Sequence, residues 1–290
     1  MAMKMPLEAF TKDEKFPFFI QYGFHDEPMY LHEHDDYYEL VIVMNGKAVH
    51  IVDGERYNIN KGDVFVIGPE TVHGYDEPSD LRICNIMFRR SFLDMSSMDI
   101  AASPGFQALF VLEPAAARNK GFCSNLHLSP DGYAEVKRII KQLHEEYYSG
   151  TVGRKTMIRG DFLRLAVVLS RLYEIDDTSG GEGFIKLAEP LTYIEQNLAG
   201  EITVEELASL ANYSQRHLIR LFREAFDCVP SVYITRLRMK NARELLADTE
   251  LMISEVAARC GYTDSNLFSR IFKKYNGVPP SRFRELRKIC

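Results

Sequence analysis

His32 and His34 stand two positions apart, Glu39 follows within the same stretch, and His73 comes after a Gly62-Asp63 pair and Pro69. Imidazoles at alternate positions of a strand face the same way. Three such nitrogens and a carboxylate form a donor set suited to zinc, nickel, manganese or iron(II). The same four side chains also suit an organic effector, the imidazoles donating to its hydroxyls and Glu39 orienting them, because polar groups converging in an apolar cavity mark a binding site. A third role is structural, a histidine capping a turn. The four residues by themselves leave these three roles open.

A second set of chemically suggestive residues lies in the last hundred positions, where one pattern occurs twice. Shifting Ser214–Pro230 by fifty pairs Leu218 with Phe268, Arg220 with Arg270, Phe222 with Phe272 and Pro230 with Pro280; upstream the shift is forty-nine, pairing Glu206 with Glu255 and Ala208 with Ala257. Thr203 and Glu206 form a capping box, Asn212-Tyr213 make a turn, and Ser214 caps a helix whose Leu218, Phe222 and Phe226 face a core. Arg216, His217, Arg220 and Arg223 lie off that stripe. In the second copy Gly261 supplies the turn, Asp264 or Thr263 the cap, and Ser265, Asn266, Ser269, Arg270, Lys273 and Lys274 point outward. Short polar donors and arginines suit base edges in a major groove, and the lysines suit phosphate. Between the copies, residues 231–247 predict one helix about 25 Å long, with Arg236, Arg238, Lys240 and Arg243 outward. Such a strut sets two reading helices about one DNA turn, about 34 Å, apart.

These residues resemble the AraC/XylS transcriptional regulators over 187–290. The likeness rests on Ile202-Thr203-Val204-Glu205-Glu206-Leu207-Ala208, Ser214 to Phe222, Arg236-Leu237-Arg238 through Leu245-Leu246, and Gly261-Tyr262-Thr263-Asp264 through Gly277 to Arg284. It implies double-stranded DNA as partner, an all-α unit with two helix-turn-helix motifs joined by a linking helix, and DNA contacts from Ser214, Arg216, Ile219, Arg220, Ser265, Asn266, Ser269, Arg270, Lys273 and Lys274. Arg220 and Arg270 have an alternative role as local braces to an acid. Asp227 departs from the pattern, which has a helix-ending glycine there.

The elements that must position the histidines are strands. Apolar runs 40–44, 49–52, 64–67 and 81–88 alternate with turn signals at Asn45-Gly46, Asp53-Gly54, Lys61-Gly62 and Gly68-Pro69, a spacing that predicts a closed or sandwiched antiparallel sheet. His32-x-His34 with Glu39 and Gly46, then Gly62-Asp63, Pro69 and His73, resemble the two motifs of the cupin barrel, the second only partly. Residues 34–43 and 84–89 are further similar to regulators of rhamnose operons within the family. That likeness implies a sugar effector, with Tyr30, Tyr38 or Phe88 stacking on a pyranose; all three are also ordinary barrel-core residues, the reading favoured for Phe88.

The expected organisation is a cupin-like sensing barrel at 1–128, a helical dimerisation segment at 129–175, an acidic linker at 176–186 and the DNA-binding unit at 187–290. Ser129-Pro130-Asp131 starts one helix, with Tyr133, Val136, Ile140, Leu143 and Tyr147 on its apolar face; residues 156–173 form a second, apolar around more of its girth, which suggests self-association into a homodimer, the alternative being that both apolar stripes are satisfied within one chain. Residues 187–290 carry 15 Lys and Arg against 13 Asp and Glu, the remainder 20 against 28, so DNA attraction must come from clustering and not from net charge. Cys84, Cys123, Cys228, Cys260 and Cys290 lack paired or metal-type spacing and read as reduced thiols of a cytoplasmic protein; no apolar run is long enough to span a membrane and the start lacks a signal-peptide core. The function expected is an effector-responsive DNA-binding regulator, an activator of a carbohydrate-utilisation operon acting with RNA polymerase, and not an enzyme. The alternative is a metal-dependent cupin enzyme fused to a DNA-binding unit. No cofactor is certain; a divalent transition metal in the barrel is the one candidate. A purely architectural DNA binder is disfavoured, having no use for so large an N-terminal half.

Overall fold

Apolar and polar residues alternating between turn signals build the first half into sheet. The computed structural model describes residues 3–11, 13, 15–93, 98–117, 126–173 and 185–288. Its strands are β1 (Met3–Met5), β2 (Phe18–His25), β3 (Met29–His34), β4 (Tyr38–Val52), β5 (Glu55–Asn60), β6 (Asp63–Ile67), β7 (Val72–Phe88) and β8 (Leu126–His127). They form one sheet in the order β1-β3-β7-β4-β6-β8, with β2 also on β7 and β5 also on β4. The long β4 and β7 pair from Tyr38↔Phe88 to Val52↔His73. One half of each carries one set of neighbours and the other half another: β2 and β3 on β7, β6 and β5 on β4. The result is a folded sheet around Val41, Val43, Ala48, Val52, Phe65, Ile67, Leu81 and Ile83. Among the described residues it does not close into a ring, and β1 runs parallel to β3, so the barrel expected from the sequence is an open one with one parallel pair.

Three of the four turn signals lie between strands as expected. The fourth does not: Asn45-Gly46 lies inside β4, where the pairing with β7 shifts register between Val43 and Val49. Gly46 has φ +74°, and a Cβ there would come within 2.1 Å of the Asp80 carbonyl oxygen. The positive φ serves a bulge instead of a chain reversal. Asn45 Nδ2 donates to Asp80 Oδ2 at 2.6 Å across it.

Next come a short helical passage, α1 (Pro104–Phe106), a π-helical turn (Gln107–Leu112) and α2 (Glu113–Ala117), then the hairpin of α3 (Pro130–Ser149) and α4 (Arg154–Leu172). Ser129 Oγ accepts from the Gly132 amide to start α3, and Gly150 ends it in the left-handed conformation. Val136, Ile139, Ile140 and Leu143 are buried, and Tyr133 and Tyr147 are half-buried. On α4, Ile158, Phe162, Leu165, Ala166 and Leu169 are all 0 % exposed, Phe162 packing against Phe18 and Phe88. Most of the girth expected to be spare for self-association is therefore covered within the chain; Met157 is exposed, and Leu163, Val167, Val168 and Leu172 are half-buried. The expected linker, 176–186, falls almost wholly outside the described residues.

Contacts divide the chain into two units, residues 1–188 and 189–290. The second consists of α5 (Ala188–Gln196), α6 (Val204–Leu210), α7 (Gln215–Phe226), α8 (Pro230–Asp248), α9 (Ile253–Arg259), α10 (Ser265–Asn276) and α11 (Pro280–Lys288). Met239, Ala242, Leu246, Val256, Ala257, Phe268 and Phe272 form one of its cores. Cys84, Cys228 and Cys260 are buried free thiols, and burial pushes the Cys84 thiol far up and that of Cys260 up to about 11.

Candidate functional site

Each helix pair of the second unit is fixed by the caps its sequence encodes. Thr203 and Glu206 make the reciprocal capping box of α6. Ser214 Oγ accepts from the His217 amide at 3.3 Å to start α7, and Asp264, not Thr263, caps α10 by accepting from the Asn266 amide at 2.8 Å. α7 ends on Asp227 at φ +51°, ψ +31°, the left-handed position that Gly277 fills at the end of α10. Leu218, Leu221 and Phe222 bury one face of α7, and Phe268 and Phe272 one face of α10.

The opposite faces carry the residues expected to meet DNA. On α7 and its cap, Ser214, Arg216 and Arg220 are exposed and Ile219 is half-buried; Arg220 pairs with Glu224 at 3.2 Å. That pair supplies the brace suggested for Arg220, but an exposed i,i+4 pair contributes only about 0.3–0.5 kcal/mol and is easily exchanged for a phosphate or base. On α10, Asn266, Arg270, Lys273 and Lys274 are exposed; Ser265 and Ser269 are half-buried, with Ser269 Oγ donating to the Ser265 carbonyl at 2.8 Å. Helix faces with arginine and amide groups near the start and lysines further along match major-groove reading with phosphate anchoring.

Arg238 differs from its expected outward position. Its Nε donates to the Leu198 carbonyl at 2.9 Å and an NH2 nitrogen to the Gly200 carbonyl at 2.6 Å, and its guanidinium lies 5.5 Å from the Tyr262 ring centroid. Helical periodicity placed it outside the apolar stripe but could not show that a loop lies there.

In the first unit, β3, β4 and β7 bring together all four residues of the histidine and acid pattern. His32 and His34 project from one face of β3, and His73 is the cross-strand partner of His32 on β7. His73 Nε2 lies 3.1 Å from His34 Nε2, and Glu39 Oε2 is 3.6 Å from His34 Nε2 and 3.7 Å from His73 Nε2. His32, His34 and His73 have potential ligand atoms within 4.8 Å of one another. His34 Nε2, His73 Nε2 and Glu39 Oε2, separated by 3.1, 3.6 and 3.7 Å, have a common point about 2 Å from each, the length of a zinc–nitrogen or zinc–oxygen bond.

Two further buried rings belong to the cluster, His50 and Tyr37. His50 Nε2 is 3.3 Å from His73 Nδ1, and Tyr37 stacks on His34 with centroids 4.3 Å apart. His50 reads as outward from the parity of Glu39, Val41 and Val43; the bulge at Gly46 reverses the alternation and turns Ala48, His50 and Val52 inward. Tyr30 is exposed, its ring 5.8 Å from that of His32. Tyr38 is not brought to the cluster: adjacent to Glu39 on the strand, it points to the other face and stacks on Phe88 at 5.9 Å, where Phe88 packs on Phe162. Phe88 is thus core.

Burial sets the electrostatics. Desolvation lowers the pKa of His34 and of His50 to about 3, holds that of His73 well below its ordinary value, lowers that of His32 and raises Glu39 to about 8. At neutral pH the imidazoles are neutral, the form that binds metals and accepts hydrogen bonds. Among the described residues, His34 Nδ1, Tyr37 Oη, Thr71 Oγ1, Tyr75 Oη and Asn85 Oδ1 are buried without a protein hydrogen-bond partner.

Residues 18–155 match the AraC-like ligand binding domain and residues 207–286 a helix-turn-helix domain. The HTH-type transcriptional activator RhaR of Enterobacter sp. (strain 638) is 31 % identical over 87 % of this chain and 86 % of its own length; that of Cronobacter sakazakii is 30 % identical over 88 % and 86 %. A solved AraC-type DNA-binding regulator from Chromobacterium violaceum is 30 % identical over 35 % of this chain and 91 % of its own, with a TM-score of 0.34. With its duplicated helix-turn-helix unit and a ligand-binding domain ahead of it, the chain belongs to the AraC-type transcriptional regulators.

Proposed function

We propose that the chain is an effector-responsive transcriptional activator, in which residues 1–128 sense a sugar-like molecule, 129–175 support a homodimer and 187–290 read DNA, acting through RNA polymerase. The carrying observation is the pair of capped helices α7 and α10 in one unit, each with a cationic, hydrogen-bonding face left outward. Arg216, Ile219 and Arg220 with Ser214 are the contacts of the first reading helix; Ser265, Asn266, Ser269 and Arg270 those of the second, with Lys273 and Lys274 on phosphate. Support for a sugar comes from relatives named RhaR activators and from the buried polar atoms still lacking partners, which a hydroxyl-rich guest would satisfy.

The spacing inside the cluster refines where that guest sits. A divalent transition metal, which the cupin resemblance implies, fits the donors His34, His73 and Glu39, with His32 as the fourth. When bound it supplies a fixed positive charge able to hold effector oxygens. Tyr30, exposed beside His32, is then placed to meet a sugar at the rim. The ion-sized spacing also favours the rival, a metal-dependent cupin enzyme fused to a DNA-reading unit. Thermal-shift screening of the full chain against sugars and divalent metals tests the proposal, since a ligand of the native state raises its melting temperature. A sugar that stabilises the chain, alters its affinity for DNA selected from a random pool and is recovered unchanged is the expected result. Chemical turnover of that sugar, or no response of DNA binding to any stabilising ligand, overturns it.

A further inference from the structure

We propose that His50 is a positioning residue that readies His73 as a metal ligand, so that the site is built from five side chains and not from the four the motif supplies. This rests on the proposal that the cluster takes a divalent ion. An imidazole offers a lone pair at only one nitrogen when neutral, and which one is set by the hydrogen bond at the other. For the Nε2 lone pairs of His34 and His73 both to face a shared ion, the proton of His73 must sit on Nδ1. His50 Nε2, 3.3 Å away, is the acceptor for that proton. The ring is clamped: it stacks on Phe65 at 4.6 Å and 27° and lies 5.1 Å from Tyr75, so it cannot swing out of line. His32 is served in the same way by a backbone group, its Nδ1 lying 3.2 Å from the Tyr30 carbonyl oxygen and leaving Nε2 for the site. Outer partners of this kind are typically worth 10–100-fold in metal affinity.

The test uses the full chain purified without a metal-affinity tag, titrated with Zn2+ against a chelator and with Co2+ followed by its visible spectrum. The wild type is expected to take one ion per chain. His50→Phe keeps that stoichiometry, binds 10–100-fold more weakly and shows an altered Co2+ spectrum, and His50→Gln, which restores an acceptor, recovers most of the loss. His34→Ala abolishes binding. A His50→Phe chain that binds like wild type overturns the role of His50 while leaving the ion site standing; a wild-type chain that binds neither ion overturns both. A His50→Gln chain as impaired as His50→Phe also refutes it, since packing alone is then at stake.

An independent observation in the second unit carries another assignment. We infer that Arg238 fixes the separation of the two reading helices. From the linking helix α8 its guanidinium grips the Leu198 and Gly200 carbonyls, just before the capped start of α6, and on its other side covers Tyr262, in the turn before α10. The turn makes room for it: Gly261 has φ +78°, and a Cβ there would come within 2.9 Å of Arg238 Cζ. One planar, five-donor group thus ties both helix pairs to one strut. Selection from a random DNA pool by wild type and by Arg238→Lys, which keeps the charge but loses the fork, tests this. The variant is expected to recover the same two half-site sequences with a broadened spacing between them. Unchanged spacing, or loss of both half-site preferences, overturns the assignment.

Discussion

Arg216 and Arg270 lie on different reading helices, both exposed, and each can form a bidentate pair with a guanine edge. Replacing either with Ala is expected to cost about 1–3 kcal/mol of specific DNA affinity and to relax base preference at separate positions of the site. Binding of both variants to panels of single-base site variants measures this; equal losses on specific and random DNA recast the residue as a phosphate contact. At this scale the sequence showed much of the candidate site, because spacing alone reveals alternation on β3 and the caps of α7 and α10. It missed residues whose role depends on a partner remote in sequence. Arg238 needs the loop at 198–200. Tyr38, offered as a stacking ring by the likeness to regulators of rhamnose operons, lies instead on the other face of β4 against Phe88.

The strand carrying Glu39 explains the other miss. Parity along β4 is legible until Asn45-Gly46, whose turn-like composition hides a bulge that reverses it. Gly46→Ala is expected to disrupt this register, since the new methyl meets backbone at 2.1 Å and the left-handed φ is strained as well. A drop of several degrees in the melting temperature together with weakened ligand binding in the first unit is the expected outcome, and a chain with wild-type stability disproves the bulge. The helix ends were legible in finer detail, down to the departure at Asp227, which the structure places at φ +51°. Asp227→Gly removes a side-chain penalty in that conformation and is expected to stabilise the second unit by up to about 1 kcal/mol. Urea midpoints check the sign, which a destabilised variant reverses.

For the whole molecule, composition gave the order of the two kinds of structure, sheet first and helices second, but not which apolar stripes would meet inside one chain. Residues 156–173 looked too apolar to be satisfied alone, yet Phe162 joins an aromatic layer of Phe18, Phe88 and Phe92, and Leu165 and Leu169 are fully buried. What remains outward is a smaller patch at the α3–α4 corner, where Tyr148, Val152 and Met157 are exposed. If that corner contributes to a homodimer, the full chain sediments as a dimer at micromolar concentration and Met157→Glu shifts it to monomer with its melting transition intact. A monomeric wild type excludes dimerisation through α4.

The buried thiols described above make the two halves of this molecule separately observable. Cys84 belongs to the sheet, Cys228 and Cys260 to the helical unit, and each is both covered and held in its unreactive protonated form. Alkylation at any of them therefore requires the surrounding structure to open, so that labelling rate becomes a local clock of opening free energy. In a chain with Cys123→Ser and Cys290→Ser, peptide mass spectrometry after timed alkylation yields one rate for the sensing half and one for the reading half in a single tube. An effector that acts only on the first half slows Cys84 alone. One that slows Cys228 and Cys260 as well has sent its binding energy across the chain, the physical meaning of induction in a regulator of this kind.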